Sequence, residues 1–313
     1  MTDYTVAEIW RYPVKSMQGE RLTRADVTAA GIRHDRSWAV RDEKTKTIRG
    51  AKHFSGLLNC HARFLDGAGI GGVPHVEITL PNGERIGSRD RRVHQALSDV
   101  VGRAVTLWPL LPADARRHYA LNDANGNGGM AEWRRSFGLE DGEPFPDMSG
   151  FPKEMLAEFM AYATPRGTYF DAYPIDVLTE ASLRKLATLC PGADLDVRRF
   201  RPNILLADSE DRVEFAEVEW VGRQLAVGRA ELDVVVDAVR CVMVTCAQPG
   251  LGRDTAIMRT LVRETKQRLS VYADVVSPGE IRLGDPVRIG GKRGLSVPQV
   301  DRNGVQGGVG DDR

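Results

Sequence analysis

The residues with the greatest chemical reach lie in Val239-Arg240-Cys241-Val242-Met243-Val244-Thr245-Cys246. A cysteine here follows the β-branched Val234, Val235, Val236 and Val239 and sits beside an arginine. The stretch therefore reads as a strand whose end presents a thiol next to a fixed positive charge. A neighbouring guanidinium favours the thiolate, the form that attacks electrophiles and binds metals. An inert buried cysteine on a core strand is the competing reading of the same residues. Lys15 and Ser16 form a second pair on a turn after Pro13, where an ammonium and a hydroxyl together suit an anion. Arg36 stands at the entrance to Ser37-Trp38-Ala39-Val40, and Arg201 and Asn203 stand before the apolar run Ile204-Leu205-Leu206-Ala207. His34 and Asp35 are adjacent, so on an extended chain they face opposite ways and do not share an ion. His53, Cys60 and His61 show no ligand spacing, and these remain structural residues.

Charge and cysteine usage bound what these groups can serve. Lysine and arginine total 43, as do aspartate and glutamate, so the formal charge is zero. That argues against polyanion binding by bulk attraction, and no nucleic-acid partner is expected. A local cationic pocket for a small anion stays open. Cys60, Cys190, Cys241 and Cys246 are too few and too scattered for a disulfide framework, and none forms a Cys-x-x-Cys pair. Met1 to Trp10 carries Asp3 and Glu8 and lacks a basic-then-apolar signal pattern, and no apolar run reaches the ~20 residues of a membrane helix. The expectation is a cytoplasmic protein with reduced thiols and no membrane partner.

The positioning elements are mostly strands. Tyr4 to Tyr12 reads as one, Val76 to Leu80 ends in the hairpin signal Pro81-Asn82-Gly83, and Val105 to Trp108 returns to strand after a short helix over Arg91 to Val101. Residues 1–111 are expected to form a β-rich domain, and 112–166, rich in Gly, Pro and acid, a long connection with a short helix over Lys153 to Tyr162. Further strands are expected at Pro174 to Leu178, Ile204 to Ala207, Leu225 to Val227 and Ala230 to Val239. Trp220-Val221-Gly222-Arg223 and Leu225 to Val227 read as paired strands around a turn. Thr179 caps a helix through Leu186, and Asp254 caps one carrying Ile257 and Leu261. Tyr272 to Val276 and Pro278 to Val287 read as hairpin strands, and 290–313 as a Gly-rich disordered tail.

Five segments in order, Tyr12-Pro13-Val14-Lys15-Ser16, Gly31 to Trp38 with Asp35-Arg36, Leu178-Thr179-Glu180-Ala181-Ser182-Leu183, Phe200-Arg201-Pro202-Asn203, and Arg240-Cys241 with Thr245, resemble the MOSC family. The family is named for the C-terminal domain of molybdenum cofactor sulfurases. The likeness is to its two-part members, which include bacterial homologues of the mitochondrial amidoxime-reducing component. It implies a mostly β, α+β protein: an N-terminal β-rich domain and a MOSC β-barrel domain at 167–289, with molybdopterin held between them. By the same carry-over Cys241 is the metal ligand. Lys15, Ser16, Arg36, Arg201, Asn203 and Arg240 grip the pterin and its phosphate, Asp171 and Ala172 line the metal site, and Tyr272 lies on the cofactor side. A soft thiolate suits molybdenum already held by dithiolene sulfur. The implied activity is reduction of N-hydroxylated small molecules by a molybdenum cofactor, with Asp171 ordering water or relaying a proton. Electrons would come from a separate donor protein of ferredoxin or cytochrome type. Pyridoxal phosphate is not expected. A Cys241 persulfide for sulfur transfer and a non-catalytic cofactor-binding role remain as alternatives. Cys246 stands at an odd offset along an extended chain and is expected on the face opposite Cys241.

Overall fold

A computed structural model describes residues 4–67, 69–121 and 129–292. Seven strands close a barrel. Around it run Ile204–Asp208, Ile175–Thr179, Arg268–Ser277, Ala230–Val239, Arg223–Val227, Pro286–Lys292 and Tyr4–Arg11, which pairs back onto Ile204–Asp208. Every neighbouring pair is antiparallel except Ile175–Thr179 with Ile204–Asp208. A parallel pair needs a crossover, and the helix Glu180–Leu189 lies within it. Thr179 caps that helix as expected, its side chain accepting from the Ser182 N–H at 3.1 Å. Strict alternation builds the barrel core: along Ala230–Val239, Ala230, Leu232, Val234, Val236 and Ala238 are buried, and the first three pack with Ile9, Val177, Ile204 and Val271, while Val236 packs against Phe151 and Tyr173.

The first strand thus crosses the division expected between the two halves of the chain, since Tyr4–Arg11 completes the barrel of the second half. Arg24–Thr28 follows suit by pairing with Gly279–Arg282. Glu20–Leu22 pairs with Tyr4–Arg11 and Gly31–Ile32 with Arg24–Thr28, and the later strands of the first half form two three-stranded sheets. One pairs Trp38–Asp42 with Val105–Pro109 and Thr47–Arg49; the other holds His61–Phe64, Val76–Thr79 and Arg85–Gly87. Their core joins Val14, Met17, Trp38, Leu57, Ile78 and Leu97, the last from helix Val93–Val101. The whole is mostly β with flanking helices.

Several local expectations are corrected. Gly279–Arg282 and Pro286–Lys292 do not form a hairpin with each other; they join different sheets. Gly290 to Lys292, read as the start of the tail, are paired in the last barrel strand, and residues 293–313 lie outside the described residues. The Trp220 segment is a 3₁₀ turn, Ala216–Trp220, and Arg223–Val227 pairs instead with Ala230–Val239. The cap position before helix Ala256–Thr265 belongs to Thr255, while Asp254 accepts from the Ala256 N–H at 2.9 Å. Among its described residues the expected connection carries three helices, Arg116–Tyr119, Gly129–Phe137 and Lys153–Ala161.

Candidate functional site

Residues flanking the barrel strands converge on one cavity of about 760 Å³. Lys15 and Ser16 follow Tyr4–Arg11, Asp171 precedes Ile175–Thr179, Arg201 and Asn203 precede Ile204–Asp208, and Arg240 and Cys241 follow Ala230–Val239. Arg36 and Tyr272 line it as well. Ala172 lines an adjoining cavity of about 1170 Å³ instead. Residues far apart in sequence are thus brought together because a closed barrel gathers strand ends that the chain separates.

Tyr12 organises the cationic wall. The Arg201 guanidinium lies 4.1 Å and that of Arg36 4.7 Å from its ring centroid. The Tyr12 hydroxyl donates to the Pro202 carbonyl at 3.0 Å, and its N–H donates to Asp35 Oδ1 at 2.7 Å. Asp35 Oδ2 accepts from Arg36 and, at 2.9 Å, from Asn203 Nδ2. Arg36 also donates to the Arg201 carbonyl at 3.3 Å. Against this network Arg201 is conspicuous: its Nη2 is buried with no hydrogen-bond partner among the described residues. Burial, only partly offset by Tyr12, lowers its pKa to about 10.

Two residues expected to grip a ligand are largely committed to the protein. Asn203 donates to Asp35 and to the Trp10 carbonyl, and accepts from the Asp176 N–H at 3.2 Å. Arg240 donates through Nε to Leu269 O at 2.8 Å, through Nη1 to Phe200 O at 2.9 Å, and through Nη2 to Asp176 and Ser270. By holding the Phe200 carbonyl, Arg240 fixes the residue that precedes Arg201. All three of its side-chain nitrogens are thus bonded within the protein.

Lys52 also lines the cavity that Cys241 lines. Burial opposes its charge, but Cys241 and Asp171 outweigh that and raise its pKa. Lys52 Nζ stands 3.7 Å and Lys15 Nζ 3.0 Å from Asp171 Oδ1. Lys15 also donates to the Tyr169 carbonyl at 2.9 Å; its burial lowers its pKa against the pull of Asp171. At Asp171 burial acts to raise the pKa, yet Lys15 and Lys52 override it and hold the carboxyl well below the usual range. Nearby, Ser16 Oγ accepts from the Ala51 N–H at 2.9 Å.

Cys241 is a half-buried free thiol placed two residues past the strand Ala230–Val239, near the strand end that its sequence pattern suggests. It opens a 3₁₀ turn, Val242–Thr245, that ends at Cys246. This turn replaces the extended chain assumed for Cys246. Both cysteines consequently pack against the same cluster of Ala51, Leu58 and Met243. Cys246 points its thiol at the Val242 carbonyl, 3.6 Å away, and does not line the cavity. Burial raises its pKa, with a smaller contribution from Cys241. Cys60 and Cys190 are buried, and burial pushes the Cys60 thiol up to about 11. His34 packs against Phe64. Among the described residues no group of three or more His, Cys, Asp or Glu side chains could by itself hold a metal.

The backbone is strained where these groups meet. Ser16, Arg36, Arg201 and Ser270 have φ of 68°, 48°, 57° and 67°, a left-handed conformation costing non-glycine residues about 1–2 kcal/mol each. Such strain persists where surrounding contacts over-determine it, and it clusters at functional sites. Lys52, Tyr12, Asp35, Asp176 and Ser270 escaped the sequence reading as site residues. Only Asp176 left a signal: it is a lone carboxylate between Ile175 and Val177 in an otherwise apolar strand.

Residues 3–60 match the family model described as the MOSC N-terminal beta barrel domain, and residues 164–288 match the MOSC domain. Mitochondrial amidoxime reducing component 2 of Bos taurus is 24% identical over 312 residues, covering 90% of this chain and 82% of its own. Mitochondrial amidoxime-reducing component 1 of Mus musculus is 27% identical over 316 residues, covering 92% and 83%. Among solved structures, the YuaD protein of Bacillus subtilis aligns over 91% of this chain and 94% of its own, with 10% identity and a TM-score of 0.41.

Proposed function

We propose that this protein, a two-domain member of the MOSC family, binds a molybdenum cofactor and reduces N-hydroxylated small molecules with electrons from a separate donor protein. The observation that carries the reading is the buried, unpartnered Arg201 Nη2 in a cationic cavity that also exposes the Cys241 thiol. An uncompensated buried cation is costly in the free protein, and an anionic phosphate is a ligand that would complete it. The donor set fits the group: hard cations at one part of the cavity for a pterin phosphate, and a soft sulfur for molybdenum. The names of the relatives give the activity, amidoxime reduction, from which the reaction class is inferred.

In this reading Lys15, Ser16, Arg36 and Arg201 hold the pterin and its phosphate. Cys241 supplies the protein thiolate to the metal. Asn203, Arg240, Asp35 and Asp176 fix the strained loops that aim the first set. The bound cofactor supplies two-electron exchange. Removal of oxygen as water also requires protons, and Asp171, held ionised between Lys15 and Lys52, orders water at the substrate side while the ammonium groups hold protons there. Tyr272 and Ala172 shape the adjoining wall.

The test is expression in a cofactor-producing host, followed by anaerobic assay of amidoxime reduction with an artificial reductant. Activity is expected for the native chain and its loss for Cys241→Ala. A persulfide on Cys241 without bound molybdenum, read by mass spectrometry, would replace reduction by sulfur transfer.

A further inference from the structure

We infer that the adjoining cavity of about 1170 Å³ is a compartment selective for planar aromatic compounds, with helix Gly129–Phe137 providing the selecting wall. This rests on the reductase reading for the role of its ligand as substrate, though not for the binding itself. Trp133 and Phe137 present stacked rings with centroids 5.8 Å apart and planes 29° from parallel. Phe151 meets Phe159 edge-on at 5.6 Å. All four rings line the cavity, together with Tyr162 and Tyr272. Aromatic walls of this kind reward a flat π-system beyond simple area burial, because offset-stacked and edge-to-face contacts are both available.

The compartment opens onto the chemistry. Lys15, Lys52, Asp171, Phe137, Met243 and Tyr272 line both cavities, so a molecule held among the rings reaches the Lys15–Asp171–Lys52 group and, beyond Met243, the Cys241 side. At a separate part of the wall, Glu132 Oε1 lies 2.7 Å from His53 Nε2 and 3.3 Å from Arg49 Nη1. That polar cluster offers hydrogen bonds to a ring substituent and orients the ligand along the cavity. Helices Gly129–Phe137 and Lys153–Ala161, which supply three of the six rings, lie between the two family matches. Five of the six rings therefore lie outside the matched domains, with Tyr272 inside the MOSC match.

The experiment is calorimetric titration of the full-length protein, cofactor-free and cofactor-loaded, with benzamidoxime and with acetamidoxime. Benzamidoxime is expected to bind at least about tenfold more tightly than acetamidoxime in both forms. Trp133→Ala should remove about tenfold of that preference while Trp133→Phe keeps most of it, with thermal unfolding unchanged. Equal affinity for the two compounds, or no measurable binding of either, overturns the inference. So does an aromatic preference that survives both Trp133→Ala and Phe151→Ala. Because binding is read without turnover, selective binding with no reduction by the loaded enzyme would instead overturn the reductase reading.

Discussion

Replacing Arg201 by methionine should change the stability of the cofactor-free protein and its affinity for anions in opposite directions. Arg201 is 7% exposed, and its pKa falls from 12.5 to about 10 because burial penalises the charged form. A base whose folded pKa is depressed gives its full stability only above the unfolded value, and loses it as pH falls through the folded one. At neutral pH the penalty is therefore complete, and the depression corresponds to about 3 kcal/mol. Loss of the contact with the Tyr12 ring at 4.1 Å gives back about 0.5–2 kcal/mol. The Arg201→Met protein, prepared without cofactor, should thus be about 1–2 kcal/mol more stable and melt a few degrees higher. Its response to an anion should be lost, since a charge-assisted hydrogen bond contributes about 1.5–3 kcal/mol, or roughly tenfold to hundredfold in Kd. Thermal unfolding with and without inorganic pyrophosphate reads both effects. A variant that melts several degrees below the native protein without ligand would show that the guanidinium is satisfied by the fold, and the ligand argument would fail.

Two further outcomes follow from neighbouring residues. Lys52→Met removes one of the two cations beside Asp171; amidoxime reduction should fall about a hundredfold with molybdenum content unchanged, and loss of the metal instead would make Lys52 a structural brace. Glu217 is fully buried, accepting from Thr179 Oγ1 at 2.7 Å and Ser182 Oγ at 2.6 Å while its Oε1 has no partner among the described residues. Burial raises its pKa, so its stability contribution is complete below the unfolded value and is lost as pH rises through the folded one. Glu217→Gln should accordingly gain about 1 kcal/mol at pH 8 relative to pH 5 in urea unfolding; an unchanged pH profile would refute that cause.

The strands were legible because alternation along Ala230–Val239 and the Asn-Gly hairpin after Val76–Thr79 are local signals. Pairing was not. That Tyr4–Arg11 closes the barrel, and that Gly279–Arg282 leaves its neighbour to join Arg24–Thr28, depend on contacts hundreds of residues apart. The same limit governs the site. Cys241 was visible from the strand that feeds it, but Arg240 beside it looks equally available in sequence, and only the barrel shows it turned to Asp176 and the Phe200 carbonyl. Lys52 follows no recognisable pattern; it acquires its role from Asp171, more than a hundred residues away. Cys246 was misplaced because a 3₁₀ turn has a different period from the strand that precedes it.

Molybdenum content of native, Cys241→Ala and Cys246→Ala proteins from one cofactor-producing host tests the assignment of Cys241 most directly. The native and Cys246→Ala proteins should carry molybdenum, and Cys241→Ala should lose it while unfolding at the same temperature in cofactor-free form. Molybdenum retained at native level by Cys241→Ala would contradict that assignment.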